Sequence, residues 1–274
     1  MRRHTGILLA IAVACGVADG RAAAPPHLGG HQLNELSLEL SALQTLYGLQ
    51  LTAEQMRQLR QIAKDTADTS GGRQPAKASD KCQKAMLELR DALIKAKDDD
   101  QIQKLSEAFD KLTETEKPEF DDGVDITDAA HEAVPKVLRL LTPGQAASYL
   151  GGMADTVTDP RERLEEAVKK VRGLKEDQYR ALRDEVVQEV SSLVAGLDAA
   201  RSTRVSQQVT QLLILARGLK EDEVKKEQPA LQKRIQAIVG DVGPMEVLRH
   251  VLEEHLAELL SNPQLETALA ARLK

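Results

Sequence analysis

Apolar residues recur at steps of three and four along most of the chain after residue 31, and this spacing constrains the fold more than any other feature. In the first half it is carried by Leu33, Leu36, Leu40, Leu43, Ile102, Leu105, Phe109 and Leu112. Residues spaced in this way line one face of an α-helix. No segment alternates apolar and polar residues over a convincing strand length. The sequence therefore predicts an all-α fold.

The second half continues the pattern in a longer stripe, and glycines mark its corners. The stripe comprises Tyr179, Leu182, Val186, Val190, Leu193 and Leu197. Gly-Leu pairs begin at Gly48, Gly173, Gly196 and Gly218. Glycine tolerates the left-handed conformation that ends many helices, and the following leucine can fold back on the last turn. We therefore expect helical hairpins, with a cradle-like first bundle followed by a second helical bundle.

The string RGLKED occurs twice, at 172–177 and 217–222. In both copies a glycine corner precedes acidic residues, which suit the positive end of the next helix dipole. A duplicated helix hairpin and convergent capping both account for the repeat.

Breaks in the apolar pattern divide the chain into domains. A polar segment at 68–80 separates two predicted helices, and Asp159 followed by Pro160 is typical of a helix start. We place the main boundary near residue 157, which gives an all-helical domain at 31–157 and a second one, of unknown type, at 158–274. Pro135 and Pro229 are expected to kink or restart their helices.

The first 24 residues have the pattern of a secretory signal peptide. Two arginines precede twelve uncharged residues, 7–18, and the small-residue tract RAAAPP follows. Twelve residues are too few to span a bilayer as a helix, but they suit the apolar core of a leader. This pattern predicts a periplasmic or extracellular protein. The alternative is a lipid anchor at Cys15 in a lipobox-like AVAC, although Ala12 stands where such motifs favour leucine.

The charge and the aromatic content argue against a nucleic-acid partner. Removal of 1–24 takes three arginines and one aspartate from the 37 basic and 43 acidic residues, and so leaves 34 and 42 with a formal charge of -8. A nucleic-acid binder normally carries a basic stripe and aromatic residues for stacking. Trp is absent, and the aromatic residues are Tyr47, Phe109, Phe120, Tyr149 and Tyr179.

Templates for catalysis and metal binding each lack a required residue. HEAVP has Pro135 where a second zinc-binding histidine would stand. The segment 120–132 has acids at calcium-loop positions 1, 5 and 12 but Ile126 where the loop needs glycine. We therefore predict a protein that is not an enzyme and has no cofactor.

Three further residues are weak candidates for metal binding or thiol chemistry. His250 and Glu254 are one helical turn apart, but two ligands make a weak metal site, and a packed histidine beside a surface glutamate is the simpler interpretation. Cys82 is the one cysteine that remains after leader removal, so no intrachain disulfide can form. We interpret it as a half-exposed structural cysteine at a helix start.

A five-residue pattern, Leu-Thr-x-x-Gln, occurs as LTAEQ at 51–55 and as LTPGQ at 141–145. Threonine followed three residues later by glutamine is a capping box, in which each side chain accepts the other residue's backbone N–H. Leu51 can then pack on Met56 as a hydrophobic staple. The predicted caps and family-motif residues are Leu51, Thr52, Gln55, Leu141, Thr142 and Gln145.

With these paired boxes, the segment 31–155 resembles the Spy/CpxP-like LTXXQ-motif family of periplasmic stress proteins. The resemblance implies a small all-helical cradle that forms dimers. It also implies an ATP-independent holdase chaperone, or a partner of an envelope-stress sensor, that binds unfolded or regulatory envelope proteins. The sequence departs from the family at Gly144, which replaces an acid, and in its acidic charge. The alternative is a structural or adaptor protein of the cell envelope whose boxes are only helix caps.

Overall fold

The computed structural model describes residues 28–69, 72–96, 98–154 and 157–274. The predicted leader and Cys15 lie outside these residues. Across the described chain the structure contains twelve helices, and the predicted all-α class is confirmed. Among the described residues none of these helices is both long and apolar enough to span a membrane.

The chain divides into two compact units, and the first is built from two separate segments. Unit 1 comprises the described residues of Met1–Tyr149 together with Leu256–Lys274, whereas unit 2 comprises those of Leu150–His255. The helices from the first segment are α1 (Gly30–Gly48), α2 (Ala53–Ile62), α3 (Asp80–Ile94), α4 (Asp99–Glu116), α5 (Asp128–Leu138) and α6 (Pro143–Met153). The later helices are α7 (Pro160–Lys170), α8 (Glu176–Ala195), α9 (Ala199–Gly218), α10 (Glu221–Val239), α11 (Pro244–Ser261) and α12 (Leu265–Arg272).

The return of the last segment to unit 1 corrects the predicted second domain at 158–274. Helix α12 packs against α1, α2 and α3, and its Leu265, Ala268 and Leu269 are buried. The residues at and just after the end of α11 are joined to α1 and to the loops of unit 1 by buried polar contacts. Asn262 Nδ2 donates to the carbonyl oxygen of Leu38 at 2.9 Å. The apolar pattern of 256–269 predicts which face is buried but not which helices cover it.

Two loops of unit 1 are fastened to the same C-terminal segment. In the first loop the Thr66 hydroxyl donates to the Leu260 carbonyl at 2.6 Å, and the Asp68 N–H donates to the Ser261 carbonyl at 2.6 Å. In the second, the Thr127 N–H donates to the Ser261 hydroxyl at 3.0 Å. Backbone groups in loops must be paired when they are buried, and here residues 134 to 194 positions away in sequence supply the partners. Unit 1 is thus held together by both of its segments.

Unit 2 is a bundle of α7–α10 together with the first part of α11. Helix α8 packs mainly on α9, and α7 contacts α8, α9 and α10. Its core is aliphatic and includes Leu164, Val186, Val190, Val194, Val205, Val209, Leu212 and Leu213. From the predicted stripe of α8, Leu182 is only half-buried and Leu197 lies beyond the end of the helix.

Both RGLKED strings form corners between helices of unit 2. The first links α7 to α8 and the second links α9 to α10. Each corner places a lysine at the N-cap. The Lys175 N–H donates to Gln178 Oε1 at 3.2 Å, and the Lys220 N–H donates to Glu223 Oε2 at 2.8 Å. The repeated string therefore has a repeated local structure.

The two copies also contact each other. Arg217, the first residue of the second copy, donates to Glu176 of the first copy at 2.6 Å. The Arg217 guanidinium also lies 4.1 Å from the ring centroid of buried Tyr179, a distance at which cation–π attraction is effective. These contacts join the two corners.

Prolines within helices match their prediction only in part. Pro135 lies inside α5 and Pro229 inside α10, so neither restarts its helix, and the kinks stay a prediction. A mid-helix proline removes one backbone hydrogen bond, but a helix that is held by its neighbours can tolerate that loss. Pro143 and Pro160 instead stand at the first positions of α6 and α7, where the missing N–H has no helical partner to lose.

Candidate functional site

The first Leu-Thr-x-x-Gln box begins α2. Thr52 has an extended backbone and is the N-cap residue; its hydroxyl accepts the Gln55 N–H at 3.2 Å. The Gln55 side-chain oxygen accepts the Thr52 N–H at 2.9 Å, which completes the capping box. Leu51 and Met56 on either side of the cap are both buried. This box therefore fixes how the chain enters α2.

The second box begins α6 in the same way. The Thr142 hydroxyl accepts the Gln145 N–H at 3.2 Å, and the Gln145 side-chain oxygen accepts the Thr142 N–H at 2.9 Å. Leu141 is buried, while Ala146, which stands where Met56 does in the first box, is half-buried.

The two boxes, 90 residues apart in sequence, meet through their glutamines. Gln55 Nε2 donates to Gln145 Oε1 at 2.8 Å, and Gln145 Nε2 donates to Gln55 Oε1 at 2.9 Å. Each amide also donates to the backbone just before the other box. Gln55 reaches the Leu140 carbonyl at 2.6 Å, and Gln145 reaches the Gln50 carbonyl at 2.8 Å. We call this reciprocal arrangement of Gln55 and Gln145 the glutamine clasp.

The clasp uses the full hydrogen-bonding capacity of both side chains. A glutamine amide has two N–H donors and an oxygen that accepts about two bonds. In Gln55 the donors go to Leu140 and Gln145, and the oxygen accepts from Thr52 and Gln145. The clasp groups are neutral amides, and this bonding leaves them no unused donor or acceptor for a ligand. Their arrangement is suited to joining two helix starts and not to chemistry.

A close approach beside the clasp joins the preceding helix to α6. Gly48 is the last residue of α1, and a Cβ added to it would lie 3.0 Å from the ring of Tyr149 on α6. Tyr149 is buried, and desolvation raises the pKa of its phenol to about 12. A glycine at this position lets the tyrosine ring lie directly against the backbone of α1.

Sequence reasoning identified each box but missed their pairing. The available signal is the choice of glutamine in both copies. Glutamate completes a capping box equally well, but only an amide can also donate hydrogen bonds to a second box. Two capping boxes that both end in glutamine are therefore the pattern that could have predicted a contact.

The acidic segment that partly resembles a calcium loop is occupied by an arginine. Arg73 Nη1 donates to the carbonyl oxygens of Gly123 at 2.8 Å and Asp121 at 3.2 Å, the kind of oxygens that a calcium loop directs at its ion. The Asp121 carboxylate accepts the Gln74 N–H at 2.6 Å. Arg73 also lies 3.7 Å from the buried carboxylate of Asp68. Two backbone carbonyls and the Asp121 carboxylate thus hold this loop against Arg73 and Gln74.

His250 and Glu254 of α11 are both part of the packing of unit 2. His250 is 3% exposed, and its Nδ1 lies 2.9 Å from the carbonyl oxygen of Leu193. The Glu254 carboxylate accepts the hydroxyl of Ser192. Burial lowers the pKa of His255. Across the described ranges, no group of three or more His, Cys, Asp or Glu side chains is arranged to hold a metal ion.

Cys82 is more buried than its sequence context predicts. Its exposure is 0%, and burial, helped by the nearby charge of Glu116, raises the pKa of its thiol. The interpretation of Cys82 as half-exposed was wrong, because the charged neighbours Lys81 and Lys84 face solvent while Cys82 lies on the buried side of α3. A buried, protonated thiol is a poor nucleophile.

Helix α4 carries several half-buried apolar side chains. This helix packs mainly against α3, and within it only Ile102 is fully buried. Leu105, Phe109 and Leu112 are half-buried. Residues seven apart fall within about 20° of each other around a helix. Leu105 and Leu112 therefore lie on one edge of α4, with exposed Ala108 between them.

Comparisons with known proteins found no matching family model, no matching curated protein and no matching solved structure.

Proposed function

We propose that this protein is a secreted or periplasmic, non-enzymatic helical binding protein that resembles the ATP-independent holdases and stress-sensor partners of the Spy/CpxP-like family. The proposal combines the leader-like residues 1–24 with the two boxes, which occur together in that family. The proposal assigns the boxes a structural role, because the side-chain amides of Gln55 and Gln145 form all their hydrogen bonds within the clasp. Binding is then a task for another surface.

The observation that carries the proposal is the incompletely covered apolar edge of α4. An amphipathic helix normally buries its apolar stripe against its neighbours, but here Leu105, Phe109 and Leu112 remain half-buried. Partly exposed apolar side chains on a stable helix suit weak contacts with unfolded chains, whose own apolar residues are exposed. We therefore assign client binding to this edge.

The test is suppression of aggregation of a chemically denatured client, followed by light scattering. Residues 25–274 should suppress aggregation at ratios up to one to one, at several salt concentrations. The double variant Leu105→Ser/Leu112→Ser should lose most of this activity. Glu107→Ser/Glu114→Ser is the matched control because it has the same spacing on the opposite edge of α4, and it should retain activity. Absence of suppression by the unmodified protein would exclude the holdase proposal.

The second candidate is a structural or adaptor protein of the cell envelope. It is favoured by the clasp itself, which accounts for both boxes without any client. This candidate predicts that crosslinking in the native compartment recovers one stable partner, whereas a holdase should recover many unrelated clients. A homodimer, which the family resemblance implies, would appear in the same experiment as a crosslinked species of twice the mass.

The proposed compartment has a separate test. A secreted or periplasmic protein should begin near residues 22–25 after processing, which N-terminal sequencing of the mature chain would detect. Recovery of a protein acylated at Cys15 would instead support the lipid-anchor alternative.

A further inference from the structure

Helix α12 occupies an apolar seat on unit 1 formed by α1, α2 and α3. Its buried residues are Leu265, Ala268 and Leu269, which are 3%, 0% and 0% exposed. These positions are i, i+3 and i+4, the spacing that lies on one helical face. Amphipathic helices that dock into the grooves of other proteins use the same anchor spacing. The seat of α12 thus has the form of a helix-binding groove.

Polar contacts at both ends of the seat add specificity for a particular helix. At one end Arg60 Nε on α2 lies 2.7 and 3.0 Å from the two carboxylate oxygens of Glu266, a planar charge-assisted pairing. At the other end, Arg272 Nη1 donates to the Leu93 carbonyl at the end of α3, at 3.0 Å. The groove therefore favours an acid beside the first leucine anchor and an arginine seven residues after that anchor.

The chain is fastened unevenly on the two sides of Pro263. Before it, Ser261 and Asn262 are buried and form hydrogen bonds with α1 and with the loops of unit 1. After it, the main attachments of α12 are the three apolar residues, the solvent-exposed pair Arg60–Glu266 and the Arg272 bond. Pro263 and Gln264 line an open groove of about 310 Å³. The link to α12 is therefore not enclosed on that side.

Local opening of a short helix is favoured when few buried contacts hold it. The eight residues of α12 gain conformational entropy on release, and the burial of two leucines and one alanine is what opposes that gain. The residues before Pro263 are held by buried polar contacts as well. We therefore expect α12 to open locally at a lower free-energy cost than the end of α11. The boundary between the segment that stays docked and the segment that opens should lie between Asn262 and Leu265.

We propose that α12 is an intramolecular occupant of a helix-binding groove on unit 1, and that the groove accepts an amphipathic helix of another protein when α12 leaves. The partner helix carries leucine, alanine and leucine at i, i+3 and i+4, an acid at i+1 and an arginine at i+7. This inference goes beyond the proposed function, because the groove differs from the α4 edge and does not depend on holdase activity.

Native-state hydrogen exchange of the full chain tests whether α12 can leave. The amides of α12 should exchange by local opening, with protection factors at least 100-fold below those of the most protected amides of α1 and α3. Protection of α12 equal to that of α1, lost only on global unfolding, would mean that α12 is a permanent part of the core and would overturn the proposal.

Binding of a helix in trans tests whether the seat is a groove. The full chain with Leu269→Asp, which puts a charge in the buried anchor position, should bind a labelled peptide of residues 263–274 saturably by fluorescence anisotropy. Peptides with Leu269→Asp or Glu266→Lys should bind at least tenfold more weakly. Equal binding of all three peptides, or no binding of the unmodified peptide to a variant that remains helical, would overturn the proposal.

Discussion

At the scale of residues, Gln55 and Gln145 explain why each box ends in an amide. Either side chain caps its own helix with its oxygen and reaches the other box with its nitrogen. A carboxylate could perform the first task but not the second, because it has no hydrogen to donate. The last letter of the motif is therefore set by the contact between the boxes as well as by capping.

Replacing Gln55 by glutamate should separate these two tasks. Gln55→Glu keeps an acceptor for the Thr52 N–H but loses both donated bonds and places negative charge beside the Leu140 carbonyl. We expect the free energy of unfolding of unit 1 to fall by about 1–3 kcal/mol, as measured by hydrogen exchange of α1 amides. Gln61→Glu, exposed on the same helix, is the control and should change stability by less than about 0.5 kcal/mol.

The threonines of the boxes should each contribute the stability that is typical of a helix N-cap. Thr52→Ala or Thr142→Ala removes the oxygen that accepts the N–H of Gln55 or Gln145. Each should lower stability by about 1 kcal/mol, as measured by urea denaturation, and leave client binding by the folded protein unchanged. Unchanged stability with reduced client binding would contradict the structural role of the boxes.

At the scale of elements, the corner between α8 and α9 depends on a single glycine. Gly196 has a φ of +52°, and a Cβ added there would lie 2.6 Å from the ring of buried His250. The ring is held by its bond to the Leu193 carbonyl, so it has little freedom to move away. This corner therefore requires glycine for both backbone conformation and space.

Alanine substitution at two corners should separate the cost of backbone strain from the cost of a steric collision. Gly196→Ala combines backbone strain with the collision against His250, and we expect it to destabilise unit 2 by about 2–4 kcal/mol. Gly173 also has a positive φ, +79°, but nothing lies within 4 Å of a Cβ added there. Gly173→Ala should cost only about 1–2 kcal/mol. Thermal unfolding followed by circular dichroism measures both, and equal costs would contradict the steric explanation.

The elements of this protein were more predictable than their partners. The three- and four-residue spacing of leucines identified the helices, and Thr52 with Gln55 identified the start of α2. The spacing reports which face is buried but not what covers it, so neither the clasp nor the seat of α12 followed from it. The restart expected at Pro135 is absent for a related reason, because propensity is local whereas the packing that holds α5 is not.

At the scale of the whole molecule, unit 1 should require its C-terminal segment. Deletion of 256–274 removes Leu256 and Leu260 from the core and breaks buried hydrogen bonds such as the one from the Thr66 hydroxyl to the Leu260 carbonyl. We expect residues 25–255 to lose cooperative unfolding of unit 1 in urea. The shorter fragment 25–157, which matches the domain predicted from sequence, should fail in the same way. A cooperative transition in 25–157 would contradict the two-segment organisation.

The pH dependence of stability should carry a signature of His255. Burial lowers its folded-state pKa below the ordinary value of 6.5, so below pH 6.5 the unfolded chain binds a proton that the folded chain does not. His255 therefore lowers the free energy of unfolding as pH falls from about 7 through the folded-state pKa of its imidazole. His255→Gln should flatten this part of the profile when urea midpoints are compared between pH 5 and pH 8. Identical profiles would contradict the assignment.

The most direct test of the central claim, that the two boxes form one structural clasp, is a double-mutant cycle. The free energy of unfolding of unit 1 is measured for the unmodified protein, Gln55→Ala, Gln145→Ala and the double variant. Because the side chains bond reciprocally, we predict a coupling energy of about 0.5–3 kcal/mol, with the double variant costing less than the sum of the single ones. Additive costs, within about 0.3 kcal/mol, would contradict the clasp and return the boxes to two independent helix caps.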